Sequence, residues 1–407
     1  MVKEPDIETD ISVPDRGEPL YRMEPLLIGE TSRHRPALTD LVVELAASAA
    51  GFRNSLPNGI REALADLVRS MNCYYSNLIE GHDTHPIDIE RALNNDYSTD
   101  TRKRDLQLEA RAHIAVQQWI DDGGLRGRAT SRDGLLEIHR RFCELLPEDL
   151  LWATGRDDGA RRRVVPGELR DRDVVVGRHI PISAGAVPRF LAKFEQTYGG
   201  LGISDAILST AAAHHRLLWV HPFLDGNGRV ARLMSHAMLM ETLDTGGIWS
   251  ISRGLARTES QYKGHLAACD LSRRNDLDGR GSLSEESLAE FTRYFLETCI
   301  DQVKFMGELV QPDRLRARIL LWVEEEIRLG KLPPKSGAIL EAVLYRRTLP
   351  RGDIAGIVDT GERQARRVVS SLTDRGVLSA SSQRAPLFLA FPTNLASRWM
   401  PGLFPDK

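Results

Sequence analysis

The residues most able to do chemistry in this 407-residue chain are His221-Pro222-Phe223-Leu224-Asp225-Gly226-Asn227-Gly228-Arg229-Val230-Ala231-Arg232. Helical periodicity ends near Val220, Pro222 blocks simple continuation, and a new helical pattern starts around Gly228, which predicts a loop between two helices. Gly226 and Gly228 let the backbone approach a ligand closely, and the amides and positive dipole end of the following helix form an anion site. Arg229 and Arg232 stand three apart on one face of the first turn, where guanidinium forks can hold phosphate oxygens. Asp225 is a hard oxygen ligand suited to Mg²⁺ bridging two phosphates. His221, with an ordinary pKa of about 6.5, is a candidate general base. Each feature alone has an ordinary structural reading, such as a turn, a solvated face or a buried histidine. Together they read as a cradle for phosphate chemistry.

The stretch resembles the signature of the Fic family, H-P-F-x-[DE]-G-N-G-R-x-x-R, and agrees with it at all nine specified positions. The resemblance extends over about residues 60 to 300. It implies nucleotidyl transfer, in which a protein hydroxyl attacks the α-phosphate of ATP, AMP is attached and pyrophosphate leaves. By the same resemblance, His221 is the catalytic base toward a Ser, Thr or Tyr hydroxyl, and Asp225 is the Mg²⁺ ligand. Asn227 and the amides of Gly226 and Gly228 hold the α- and β-phosphates, Arg229 adds charge there, and Arg232 grips the γ-phosphate. Phe223 reads as a core plug that fixes the loop.

Two further segments belong to this reading. Between Arg161 and Ile182 the β-branched runs RRRVV and DVVVGRHIPI flank a Pro166-Gly167 turn, which predicts a short hairpin. Gly167-Glu168-Leu169-Arg170 followed by Val174 to Pro181 resembles the family's flap, which covers the nucleotide and aligns a target segment by strand addition. Val176, Gly177, Arg178 and His179 would then lie near the nucleotide. Gln261-Tyr262-Lys263 and Asp270 fall where the family often places an aromatic pair and a polar adenine contact, with Lys263 replacing an aromatic residue and Asp270 an amide.

Ser76-Asn77-Leu78-Ile79-Glu80-Gly81 resembles the family's inhibitory motif, [ST]-x-x-x-E-[GN], here upstream of the signature. On a helix Ser76 and Glu80 lie one turn apart on the same face, and Gly81 can terminate the helix so that Glu80 projects from its last turn. The resemblance implies that Glu80 pairs with Arg232 and leaves ATP in an unproductive pose.

The elements that must position these residues are nearly all helical. Three- and four-residue apolar spacing predicts helices from about Leu38 to Phe52 and Ile60 to Glu80, then at Ile87–Leu93, Asp105–Ile120 and Gly134–Leu146. Others follow at Val187–Thr197, Asp205–Val220, Gly228–Thr242, Glu259–Cys269 and Ser284–Phe305. The first 35 or so residues read as an irregular arm lying over the body. The fold class is mainly α: a Fic-type helical bundle with a short β-hairpin flap, plus a C-terminal winged helix-turn-helix domain. The expected division is 1–110, an N-terminal arm and helical region with the inhibitory helix; 111–310, the Fic core; and 311–407, a winged-helix-like domain. That last segment carries 16 Lys and Arg against 10 Asp and Glu, whereas the whole chain has a net charge of −3. A helix from Leu315 to Leu329, three short helical stretches (Gly337–Arg346, Arg351–Val358, Glu362–Arg375) and a β-like run at Leu387–Phe391 give the winged outline.

Composition sets outer bounds. Hydrophobic residues are 42% and charged residues 27%, which excludes a disordered or fibrous chain. No signal-like or membrane-spanning run occurs, and Cys73, Cys143, Cys269 and Cys299 lack the spacing of a disulfide framework or zinc site, so a soluble cytoplasmic protein is expected. His82, His85, His214 and His215 are assigned no metal. The resulting expectation is an autoinhibited protein adenylyltransferase that uses ATP and Mg²⁺ and docks its protein target, or itself, at the flap. Contact of the winged helix with DNA or protein is open, as is homo-oligomer formation. The alternatives are a same-fold phosphotransferase, a de-adenylylase, or a DNA-binding regulator with a nucleotide-sensing Fic domain.

Overall fold

The computed structural model describes residues 14–56, 58–155, 159–244, 246–346 and 348–405. The first helices are α1 (Arg35–Ser55), α2 (Asn58–Ile79), α3 (Pro86–Leu93), α4 (Thr101–Asp121) and α5 (Arg132–Glu144). Strands β1 (Trp152–Thr154) and β2 (Arg161–Arg163) follow. Next come α6 (Val187–Tyr198), α7 (Ile203–Val220), α8 (Asn227–Leu243), α9 (Ser252–Arg257), α10 (Glu259–Cys269), α11 (Glu285–Leu309) and α12 (Pro312–Arg328). The chain ends with α13 (Ser336–Arg346), β3 (Thr348–Leu349), α14 (Ile354–Val358), α15 (Glu362–Asp374), β4 (Leu378–Ser379), β5 (Leu387–Leu389) and α16 (Ala396–Trp399). By packing, the chain forms two compact units, each assembled from three separate segments.

One unit comprises the described part of Met1–Pro36 with Gly127–Ser235 and Lys263–Thr292. Its centre is α7, buried along almost its whole length from Ile207 to Val220, as an apolar helix surrounded by others must be. Phe190, Leu191 and Phe194 of α6 and Leu135, Ile138 and Phe142 of α5 supply further core. The N-terminal arm is part of this core. Met23 is fully buried, Tyr198 Oη donates to Leu26 O at 2.7 Å, and the buried Arg216 on α7 donates to Pro25 O at 2.8 and 3.1 Å.

The other unit comprises Ala37–Arg126, His236–Tyr262 and Arg293–Lys407 as far as described. Here α2 packs against α4 and α9 through an apolar stripe interrupted by a polar seam. Asn72 Nδ2 donates to Gln117 Oε1, Ser250 Oγ donates to Asn72 Oδ1, and Asp121 accepts from Arg69 at 2.8 Å and from His236 at 2.7 Å. The C-terminal tail also grips α2. Tyr75 Oη donates to Leu403 O at 3.1 Å, and the Tyr74 ring meets Phe404 edge-on at 5.8 Å. Before that tail, α13, α14 and α15 enclose Ile339, Leu340, Val358, Val368 and Leu372, and a three-stranded antiparallel sheet ordered β3-β5-β4 closes them off. Among the described residues no helix is long and apolar enough to cross a membrane.

The hairpin predicted over Arg161–Ile182 differs in its pairing. Arg161–Arg163 pairs antiparallel with Trp152–Thr154 upstream, and within 174–181 the ladder is limited to one bridge, Val176 to His179. Three consecutive valines favour a strand locally, but the bonds described next commit this segment to α7 instead.

Candidate active site

The site lies in the first unit, where α7 stops. His221 follows the last residue of α7 with φ 51° and ψ 63°, the left-handed conformation, and its N–H still donates to Leu217 O at 3.0 Å. Such a conformation costs a non-glycine residue roughly 1–2 kcal/mol and must be held by its surroundings. Pro222 has no N–H with which to extend the helix. His221 Nδ1 lies 3.3 Å from Leu218 O. A carbonyl can only accept, so Nδ1 carries the proton and the basic lone pair is on Nε2.

Arg170 holds this turn from the flap side. Its side chain is fully buried, with Nε donating to His221 O and Nη1 to Arg172 O, both at 2.8 Å, and Nη2 donating to Ile182 O. Its own N–H donates to Pro222 O at 2.9 Å. Burial pushes this guanidinium down to about 10, so it stays charged at neutral pH.

Within the loop, Phe223 is fully buried and stacks on His139 with ring centroids 4.0 Å apart. Asn227 closes the loop on itself: Oδ1 accepts from Phe223 N–H at 3.0 Å and Nδ2 donates to Phe223 O at 2.9 Å. Gly226 sits at φ 80°, and a Cβ there would meet nothing nearer than His139 Cδ2 at 3.6 Å, so backbone conformation is what demands glycine. Arg229 and Arg232 are both buried on the first turns of α8, with the Arg229 guanidinium 5.0 Å over the Phe142 ring. Asp225 is exposed, and its Oδ1 accepts from Gly226 N–H at 2.7 Å. A single carboxylate beside an anion nest suits Mg²⁺, which keeps waters and takes other ligands from substrate phosphates. Among the described residues no cluster of three or more His, Cys, Asp or Glu side chains could hold a metal alone.

His139 went unnoticed in the sequence. Its Nδ1 accepts from Gly167 N–H at 3.0 Å, which places the proton on Nε2, 3.5 Å from Cys143 Sγ. Burial pushes its pKa down to about 4, so the ring is neutral. One imidazole thus ties α5 to the Pro166-Gly167 turn and to the floor of the loop. A lone histidine on an amphipathic helix gives no sequence signal for that role.

The flap turn is closed by Val176 N–H to His179 O (2.9 Å) and His179 N–H to Val176 O (3.0 Å) around Gly177 at φ 62°. His179 Nε2 donates to Trp219 O at 2.8 Å, two residues before His221 on α7. Gly177 and Arg178 are exposed, as are the apolar side chains of Val175, Val176 and Ile180 along the same edge. Asp270 follows α10, two helical turns beyond Lys263, and its Oδ1 accepts from His215 Nε2 at 3.0 Å. His179 Nδ1 is 4.0 Å from the same oxygen. His215 takes an Arg216 N–H on Nδ1, and burial pushes its pKa down to about 4. The structure therefore brings the loop, the flap turn and Asp270 together around the end of α7.

In the other unit, α2 ends at Ile79. His82 N–H donates to Asn77 O and Gly81 N–H to Leu78 O, both at 2.9 Å, with Gly81 at φ 83°. This is the Schellman arrangement, which makes Gly81 the terminator and leaves Glu80 exposed at the cap, while Ser76 is buried. His82 pairs with Glu109 at 2.8 Å.

Helix, sharp left-handed turn, glycine-rich loop and basic helix start thus follow one another within residues 203–232. Residues 129–239 match the Fic/DOC family. The chain resembles "Protein adenylyltransferase Fic" of Drosophila erecta, 28% identical over 191 residues, covering 45% of this chain and 36% of that protein. The like-named protein of Culex quinquefasciatus is 36% identical over 111 residues, covering 26% of this chain and 19% of its own length. The chain thus spans well under half of the curated relatives it matches. Among solved structures, a Fic family protein from Desulfovibrio desulfuricans G20 superposes with a TM-score of 0.51 at 15% identity, covering 87% of this chain and 96% of that one.

Proposed function

We propose that the chain is an autoinhibited protein adenylyltransferase that transfers AMP from ATP to a Ser, Thr or Tyr hydroxyl of a target protein or of itself. The observation carrying this reading is the locked His221 turn. Its Nδ1–H faces a carbonyl, so Nε2 is the nitrogen that takes a proton, and that nitrogen belongs to the residue opening the anion loop. In the transfer, the hydroxyl proton passes to Nε2 as the oxygen bonds to the α-phosphorus and the bond to the bridging oxygen breaks. Pyrophosphate leaves with the electron pair. The amide of Gly228 and the buried charges of Arg229 and Arg232 suit a triphosphate, as phosphoryl chemistry requires, whereas the Gly226 amide is given to Asp225 Oδ1. Mg²⁺ held at Asp225 would neutralise phosphate charge when bound. The edge with Val175, Val176 and Ile180 suits an extended target segment, because the target's main chain can pair there while alternate side chains find apolar contact.

The names of the Drosophila and Culex relatives support the transfer itself. For the brake the support is the Ser76–Gly81 motif and the helix ending that leaves Glu80 exposed. The test incubates wild type, Glu80→Gly and His221→Ala with Mg²⁺ and ATP labelled at the α- or the γ-phosphate. Protein label from α only, strongest in Glu80→Gly and lost in His221→Ala, is the predicted result. Label from γ only means kinase chemistry, and equal labelling by wild type and Glu80→Gly removes the brake.

A further inference from the structure

We propose that α13 to β5 is a winged helix that binds duplex DNA through α15 and the β4–β5 loop. This stands independently of the transfer chemistry proposed above.

The first support is connectivity. Helix α13, strand β3, helices α14 and α15, then β4 and β5 pair in the order β3-β5-β4, with Leu349 opposite Leu387 and Leu378 opposite Leu389. Helices α14 and α15 are joined by Asp359-Thr360-Gly361, where Asp359 takes the left-handed conformation at φ 48°. This is a helix-turn-helix whose second helix is the groove-reading one.

The second support is how this region uses its charges. Several arginines are spent within the protein: Arg346 pairs with Asp353, Arg375 donates to Glu326 Oε2 at 3.0 Å and to Lys331 O at 2.9 Å, and Arg351 donates to Ala385 O at 3.2 Å. Arg363 and Arg367 on α15 and Arg384 in the β4–β5 loop are exposed, and among the described residues they make no hydrogen bond or ion pair. Arg366 is exposed and pairs with Glu362 at 2.9 Å, the acidic group on that face of the first turn. Ala365, Val368, Val369 and Leu372 anchor the opposite face in the core. The outward stripe is therefore Arg363, Arg367 and Ser370, at one-turn spacing.

At 13 residues α15 is about 20 Å long and fits the major groove, with Arg363, Gln364 and Arg367 at the N-terminal end that meets base edges. Arginine suits guanine and phosphate, and glutamine suits adenine. The Arg351 bond to Ala385 fixes the loop that brings Arg384 toward an adjacent backbone. A docking surface for an apolar protein helix would need an uncharged stripe instead of this one.

The test measures fluorescence anisotropy of a labelled duplex of roughly 30 base pairs with the full chain, against an Arg363→Ala/Arg367→Ala variant. Both sites are exposed, and matching thermal melts confirm that the variant folds. With three or four phosphates neutralised, the wild-type log-affinity should fall against log-salt with a slope of about −3, or roughly 60-fold between 50 and 200 mM. The variant should bind at least tenfold more weakly with a slope shallower by about 2. The proposal is overturned by no duplex binding at low salt, by unchanged binding in the variant, by equal affinity for single-stranded DNA, or by retention on heparin without duplex binding.

Discussion

Replacing Arg170 with lysine probes how the His221 turn is held. The guanidinium supplies three bonds to the main-chain carbonyls of His221, Arg172 and Ile182 from a fully buried position. A lysine keeps the charge, but its ammonium is a point and cannot span three carbonyls set around a planar fork. One or two of them lose their donor. A buried carbonyl left unmade costs about 1–3 kcal/mol, so the folded state should lose on the order of 2–4 kcal/mol. The same loss releases His221 from its left-handed turn. If about 2 kcal/mol of that restraint acts on the base, the aligned population falls roughly 30-fold. The assay pairs urea denaturation with single-turnover transfer of α-labelled AMP in the Glu80→Gly background. A lower urea midpoint, a maximal rate down by 10- to 100-fold and an ATP KM changed by less than about threefold are predicted. Wild-type midpoint and rate in Arg170→Lys would refute the clamp.

Other consequences follow from the same packing. His139, His214 and His215 are buried and neutral with pKa values pushed down to about 4, 3 and 4, whereas in the unfolded chain each binds a proton near 6.5. The unfolded state therefore holds more protons below pH 6.5, and stability should fall as pH drops from there toward 4. At pH 5 the loss is on the order of 2 kcal/mol per histidine, seen as a falling urea midpoint, and a flat midpoint across that range would contradict the assignment. Gly226→Ala places a Cβ at φ 80° and should cost about 1–2 kcal/mol while weakening ATP binding in a calorimeter, although no atom blocks the methyl group. Leu403 is fully buried in the tail that grips α2, so Leu403→Ala should destabilise the protein by about 3 kcal/mol in a urea melt, and an unaltered melt would show the tail is not anchored there.

Much of this was legible in the sequence because it is local. Apolar spacing marks α4, α7, α8 and α11 to within a few residues, and Gly81 ends α2 as a left-handed glycine should. The signature loop could be read because base, carboxylate, glycines and arginines are contiguous. What escaped is non-local. Nothing around Arg170 signals that three distant carbonyls converge on it, and nothing around Leu403 signals that it accepts from Tyr75. The valines at 174–176 read as a strand, yet the neighbouring His179 bonds Trp219, and β2 takes its partner from Trp152–Thr154. The Asn227 carboxamide bonds the Phe223 main chain at both ends, a loop-closing contact that its type and spacing do not signal.

The proposed transfer requires the loop opened by His221 to present a nucleotide's innermost phosphorus to a protein hydroxyl. Intact-mass spectrometry of the chain and its co-incubated target proteins after exposure to Mg²⁺ and ATP measures this directly. A gain of one AMP, about 329 Da, on a Ser, Thr or Tyr is predicted in Glu80→Gly, and none when His221→Ala is added. A gain of about 80 Da, or adenylylation that persists without the imidazole, would contradict it.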